Sequence, residues 1–214
     1  MFSGGFDSML MALLARRWGA KLTAVTVQFE GFNPRTVAQA SLLARRMKLP
    51  HHILDVSLSE FLSSYLSLVA LMGKPPDDLD LVLVDAALKK YDPRIAGKIF
   101  ISGMGSDQWF GNDALKVKYK DIKKHLARAV DDREIHCKVA RVHGLKFIFP
   151  FLSTPMLALA QQIPPVMKKD KKLLRQLVTG ADMDLLSGFG GSREIQVPSR
   201  VRHLLLKVYS KKVG

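Results

Sequence analysis

At 214 residues and 48% hydrophobic composition the chain can bury a sizeable core, and its single cysteine, Cys137, excludes a disulfide framework and a cysteine-based zinc or iron–sulfur site. Its 33 Lys and Arg against 19 Asp and Glu give a net charge of +14, which suits a nucleic-acid partner or a site for a polyanion without choosing between them. No apolar run reaches membrane-spanning length, the start lacks a basic flank followed by a cleavage site, and the lone cysteine fits a reducing, cytoplasmic compartment.

The first stretch, Ser3-Gly4-Gly5-Phe6-Asp7-Ser8, sets two glycines among small polar residues. Successive backbone N–H groups there can turn inward around an anion, with the hydroxyls of Ser3 and Ser8 as further donors. A positive φ is expected at Gly5, where a valine would block the approach of backbone to phosphate. Met9 to Trp18 reads as a helix, whose N-terminal amides and dipole favour phosphate. Asp7, at the mouth of such a site, repels a nucleotide unless a divalent cation lies between them, which implies Mg²⁺. The same residues could equally be a plain turn capping a helix. Only Met1 and Phe2 precede the loop, too little for a strand that would position it, so an upstream start is expected.

Residues 22–29 form a β-branched apolar run that reads as a buried parallel strand. Pro34 opens a helix whose face carries Val37, Ala40, Leu43, Ala44 and Met47, closing before Pro50. His52 to Val56 is a short strand, and Ser57 caps a helix to about Met72. Asp77 to Tyr91 reads as a helix with Asp77, Asp78 and Asp80 in its first turn, where the dipole favours acids without any metal. Lys98 to Ser102 is the next strand, and Lys146 to Phe149 a last short one. Helices are expected over 118–142, 154–163, 170–178 and 200–210. Strand–helix alternation as far as Gly111 argues a parallel α/β sheet with helices on both faces, followed by a mainly helical part.

His51 and His52 read as framework. His125, His136 and His143 lie in a basic stretch without carboxylate partners, and zinc is not expected there. The basic run from Lys116 to Arg141 reads as a solvated face. Trp109 and Phe110 are expected to pack a short helix on the sheet.

The first loop resembles the S-G-G-x-D-S pyrophosphate loop of the N-type ATP pyrophosphatases; it is not a Walker A loop, since no Gly-Lys-Ser/Thr closes it. Neither GMGSDQ (103–108) nor GFGGSR (188–193) completes a dinucleotide fingerprint. The run Ile101 to Asn112, I-S-G-M-G-S-D-Q-W-F-G-N, resembles the L-S-G-E-G-S/A-D-E-x-F-G-G loop of asparagine synthetases. Phe149-Pro150-Phe151-Leu152 is similar to that family's P-F-L-D, and Ile163-Pro164-Pro165 with Lys171-Lys172-Leu173-Leu174-Arg175 to its l-P and K-x-x-L-R. Ala44 through His52 fits its v-A-x-x-L-G-x-x-H-H stretch.

This resemblance implies a doubly wound α/β synthetase domain, with a nucleotide-binding core over 1–112 and a mainly helical part over 113–214. Such a domain binds ATP with Mg²⁺, adenylates a carboxylate and lets an amine displace AMP. The resemblance further implies that Ser3, Gly4, Gly5, Asp7 and Ser8 hold phosphates and that backbone near Val27 and Gly103 holds adenine. Asp107 would serve a second Mg²⁺ or the acid substrate, and Lys171 would face phosphate or pyrophosphate. Arg193, in S-R-E-I-Q-V-P-S, falls where a pyrophosphate-contacting lysine is usual. The departures matter as much. The family's catalytic glutamate is Met104 here, its next acid is Gln108, the aspartate of P-F-L-D is Ser153, and the acid usual after the second strand falls at Thr36. No N-terminal cysteine nucleophile of a glutaminase half is present, so glutamine hydrolysis by this chain is not expected, and an ammonia-supplying subunit is one partner the resemblance allows. An amide-forming ligase for an aspartate-like acid is therefore expected. A tRNA-modifying ATP pyrophosphatase and a nucleotide-binding homologue without turnover are the alternatives.

Overall fold

The β-branched run of the sequence forms β1 (Ala24–Phe29), which pairs in parallel with β2 (His51–Val56), in register from Ala24 opposite His51 to Phe29 opposite Val56. The computed structural model describes residues 1–30, 34–111 and 122–188. A second parallel pair joins β3 (Ile99–Ile101) to β4 (Lys146–Ile148). The described residues thus form an α/β fold with two small parallel sheets and a largely helical C-terminal region.

Residues 1 and 2 lie between the pairs. The Met1 nitrogen donates to the Ile101 carbonyl at 2.9 Å, and the Phe2 N–H donates to the Val25 carbonyl at 2.7 Å. The Thr26 hydroxyl donates to the Phe2 carbonyl at 2.5 Å. With its proton so used, Thr26 accepts from His51 Nε2 at 2.8 Å, which makes His51 framework, as expected. The two residues thereby aim the loop that begins at Ser3.

Helices α1 (Phe6–Arg17) and α2 (Pro34–Arg46) bury Met9, Leu10, Leu13, Ala40, Leu43 and Ala44 in one cluster with Phe100, Phe147 and Phe151. Helices α3 (Leu58–Met72) and α4 (Leu79–Lys89) bury Phe61, Leu68, Val82 and Ala86 in another with Val27 and Phe29. Each large apolar side chain so buried contributes about 1.5–3 kcal/mol, which outweighs the few tenths by which local propensities differ. A short α5 (Pro93–Ala96), absent from the sequence expectation, precedes β3. The others are α6 (Ser106–Phe110), α7 (Ile122–Val142), α8 (Thr154–Gln162), α9 (Pro165–Lys168) and α10 (Lys172–Arg175), with 3-10 turns at Pro150–Leu152, Lys169–Lys171 and Gly180–Gly188.

Two expectations are corrected. The α4 helix begins at Leu79 because Asp78 caps it, its carboxylate accepting from the Asp80 N–H at 2.9 Å, which leaves Asp77 outside. The helix expected over 170–178 is broken, because Asp170 and Lys171 take left-handed φ of 52° and 55°. The helix expected over 200–210 lies outside the described residues. No described helix is long and apolar enough to cross a membrane.

Ser57 caps α3 as expected, and the pairing is reciprocal: its hydroxyl accepts from the Glu60 N–H at 3.2 Å, and Glu60 accepts from the Ser57 N–H at 2.8 Å. Glu60 also pairs with Lys90 at 3.0 Å. The Ser57 N–H bond first, then Lys90 and the Ser57 hydroxyl, hold the Glu60 carboxyl at about 2, below its ordinary 4.5. A depressed carboxyl contributes stability above its unfolded value and loses it as pH falls. The stability gap between the chain and Glu60→Gln is therefore expected to be constant above pH 4.5 and to shrink as pH falls towards 2, read from denaturant midpoints.

Candidate functional site

The first loop turns at Gly4, whose φ is +74°. A Cβ there would lie 2.7 Å from the Ala40 nitrogen and 3.0 Å from its Cα, so the loop packs directly on the backbone of α2. Gly5 is extended, with φ −81° and ψ 164°, and stands as the N-cap of α1. The positive φ expected at Gly5 thus falls one residue earlier. The Ser3 hydroxyl accepts from the Gly5 N–H at 3.3 Å and meets the Ser8 hydroxyl at 3.2 Å, while Ser8 donates to the Gly5 carbonyl at 3.0 Å. The serines therefore brace the loop itself. No side chain caps α1, whose first-turn amides an α-helix cannot satisfy internally.

The second loop repeats this construction. Gly105, at φ +95°, is the N-cap of α6, and Asp107 sits two residues on, just as Asp7 does after Gly5. The loops touch: a Cβ on Gly103 would stand 2.8 Å from Asp7 Cβ and 2.9 Å from its carbonyl carbon. Trp109 and Phe110 are buried beneath, and Phe110 packs on Phe151 at 5.6 Å between ring centroids.

Lys171 closes the arrangement. Its ammonium donates to both Asp7 oxygens, at 2.7 and 2.6 Å, and to Asp107 Oδ2 at 2.9 Å. The K-x-x-L-R segment places it there. Leu174 is buried in the core, and the Arg175 guanidinium lies over the Phe6 ring at 4.9 Å while its Nε donates to the Asp170 carbonyl at 3.0 Å. Two consecutive left-handed residues cost about 1–2 kcal/mol each, and these contacts hold the bend in place.

Against the loops lies a cavity of about 420 Å³. Ser3, Asp7, Ser8, Val27, Gly103 and Asp107, all picked out in the sequence, line it. Gly4, Gly5 and Lys171 are not among its lining residues; Lys171 meets it through the two aspartates. Arg193 lies outside the described residues. Sequence reasoning missed Asp78, Asp80, Ser106 and His136, which also line the cavity. Ser106 is buried with its hydroxyl unpartnered among the described residues. The expectation that these histidines lack carboxylates is also corrected, since His143 Nε2 meets the buried Asp85 at 2.8 Å. Helical spacing gave no sign of this contact, because Asp85 comes from another helix.

The arrangement suits a divalent cation only together with a ligand that brings oxygens. Two carboxylates share one ammonium, so they are close enough to share a metal. Among the described residues no group of three His, Cys, Asp or Glu could hold one alone. Mg²⁺ is commonly bound by one or two carboxylates plus phosphate oxygens, and Asp7 and Asp107 fit that pattern.

The starts of two helices, each glycine-capped and carrying an aspartate at its second position, thus border one cavity in an α/β fold. The family model for asparagine synthase matches residues 1–131, more than half of the chain, and the chain belongs to that family. Proteins of Mycobacterium bovis and Mycobacterium tuberculosis named "Putative asparagine synthetase", glutamine-hydrolyzing, are each 33% identical over 111 residues, 51% of this chain. The chain spans 16% of the length of those relatives. A solved structure titled as a predicted subunit of tRNA methyltransferase from Methanocaldococcus jannaschii aligns with TM-score 0.41 and 18% identity, over 75% of this chain and 72% of that one.

Two outcomes are expected. Gly4→Ala should lower stability by roughly 2–4 kcal/mol, through left-handed strain and collision with α2, whereas Gly5→Ala should cost far less; denaturant midpoints of the pair decide it. Lys171→Ala leaves two carboxylates facing each other, which repel by about 4 kcal/mol at 4 Å and an effective dielectric of 20. Mg²⁺ should then raise the thermal midpoint of that variant more than that of the unsubstituted chain.

Proposed function

We propose that the chain is the ATP-binding part of an amide-forming ligase, whose substrates are ATP and an aspartate-like carboxylic acid and whose products include AMP and pyrophosphate. The observation that carries this reading is the meeting of Asp7, Asp107 and Lys171 where the two family loops touch. In this reading the two strand pairs are halves of one doubly wound sheet bridged by Met1 and Phe2, residues 1–112 form the nucleotide-binding core, and 113–214 form the helical part. The first-turn amides of α1, with Gly4 and Gly5, bind phosphate, and Ser3 and Ser8 keep that loop in shape. Val27 and the backbone at Gly103 border the base. Asp7 and Asp107 hold Mg²⁺, which neutralises phosphate charge when bound. Lys171 then turns from the aspartates to phosphate oxygens, and Arg193 joins it. Ammonia comes from a separate subunit or domain, and the setting is cytoplasmic.

Met104 favours a second reading. It lines the cavity yet packs against the apolar cluster, as a residue would in a nucleotide-binding homologue without turnover. A thioether can neither take a proton nor orient an amine, and a positioned acid–base group contributes a factor of about 10²–10⁴.

ATP–pyrophosphate exchange against a panel of amino acids separates the readings. Exchange that depends on Mg²⁺ and is lost in Asp7→Asn is expected. Calorimetric MgATP binding without exchange for any acid would support the second reading. Absence of MgATP binding would sink both.

A further inference from the structure

His136 is the buried titratable group at the cavity wall that the reading above leaves unused. It is 7% exposed and stands on α7, and its Nδ1 lies 2.8 Å from the Asp132 carbonyl one turn earlier. A carbonyl only accepts, so Nδ1 carries the proton, and the neutral ring keeps a lone pair on Nε2. The ring meets Phe149 edge-on at 5.9 Å between centroids, which holds its orientation from a second side. Among the described residues nothing hydrogen-bonds to Nε2, and the residue lines the cavity.

Acidic groups share this wall of the cavity. Asp78 and Asp80, at the start of α4, line the same cavity. The Asp132 carboxyl interacts with both His136 and Asp78, with Arg128 and Asp131 also near it, and burial holds it above the ordinary carboxylate value. Met104, where the family has its glutamate, lines this cavity too and supplies no base.

We propose that His136 accepts the proton of the attacking amine in the amide-forming step. The inference rests on the ligase reading. In that step the amine nitrogen bonds to the acyl carbon of the acyl-adenylate. The bond from that carbon to the phosphate oxygen breaks, and its electron pair leaves with AMP. The proton shed by nitrogen goes to His136 Nε2. The Asp132 carbonyl, already holding Nδ1–H, orients the ring as it takes that proton.

The test uses the full chain with MgATP, L-aspartate and either ammonium or hydroxylamine, which is uncharged at neutral pH and needs less help to lose a proton. In His136→Gln, and in His136→Asn as a second variant, amide formation from ammonium should fall by about 10²–10⁴ relative to exchange in the same variant, with hydroxamate formation far less affected. Nitrogen NMR of the histidine rings in the unsubstituted chain, assigned with these variants, should show His136 protonated at Nδ1. No exchange in the unsubstituted chain removes the ligase reading and this inference with it. Exchange with an undiminished amide-to-exchange ratio in the variants overturns this inference alone, as does an Nε2–H tautomer. Exchange in the unsubstituted chain with no amide from ammonium also overturns it, since the acceptor would be present and without effect.

Discussion

The grip of Asp7 and Asp107 on the Lys171 ammonium joins parts of the chain 164 and 64 residues apart, and the geometry of the candidate site depends on it. Each aspartate sits in the first turn of a helix, where the dipole favours its charge, but two carboxylates brought so close repel unless a cation lies between them. The lysine supplies that cation. It is delivered by a bend in two left-handed residues that the chain would not adopt unaided, held by burial of Leu174 and by Arg175 over Phe6. Farther along α1, Arg17 donates to the Leu177 carbonyl at 2.8 Å and pairs with Asp182 at 3.2 Å, so the C-terminal segment is strapped to this helix at both ends.

Glycine makes the rest of the site possible, for reasons of space more than flexibility. Gly4 lets the first loop lie on the backbone of α2, and Gly103 lets the second lie on the backbone of Asp7. Gly5 and Gly105 leave the first turns of α1 and α6 without side-chain caps. A larger residue at Gly4 or Gly103 would push the loops off their supports and part the aspartates. Met104, where the loop that this one resembles has glutamate, is of a different kind. Its N–H donates to the Ser102 hydroxyl at 3.2 Å, which holds the loop's backbone, and its thioether handles no proton.

Four carboxylates, those of Asp7, Asp78, Asp80 and Asp107, line the cavity of a chain whose net charge is +14. A basic surface attracts polyanions anywhere on it, whereas a wall of carboxylates admits phosphate only where a cation stands between them.

Much of this protein was legible in the sequence because its causes are local. The apolar run 22–29 became β1, Ser57 with Glu60 three residues on capped α3, and the S-G-G-F-D-S and G-M-G-S-D runs became glycine-capped helix starts, each determined by side chains within a turn or two. What tertiary structure alone decided involves partners distant in the chain. The left-handed residue is Gly4 instead of Gly5, where the loop lies against the distant Ala40 with no room for a Cβ, and Lys171 meets two distant aspartates from a bend where helical periodicity implied a continuous helix. His136 and His143 looked alike on paper, two histidines in a basic helical stretch. Packing gave His143 to Asp85 and turned His136 towards the cavity, because a side chain's role depends on what stands opposite it, and sequence spacing carries no record of that.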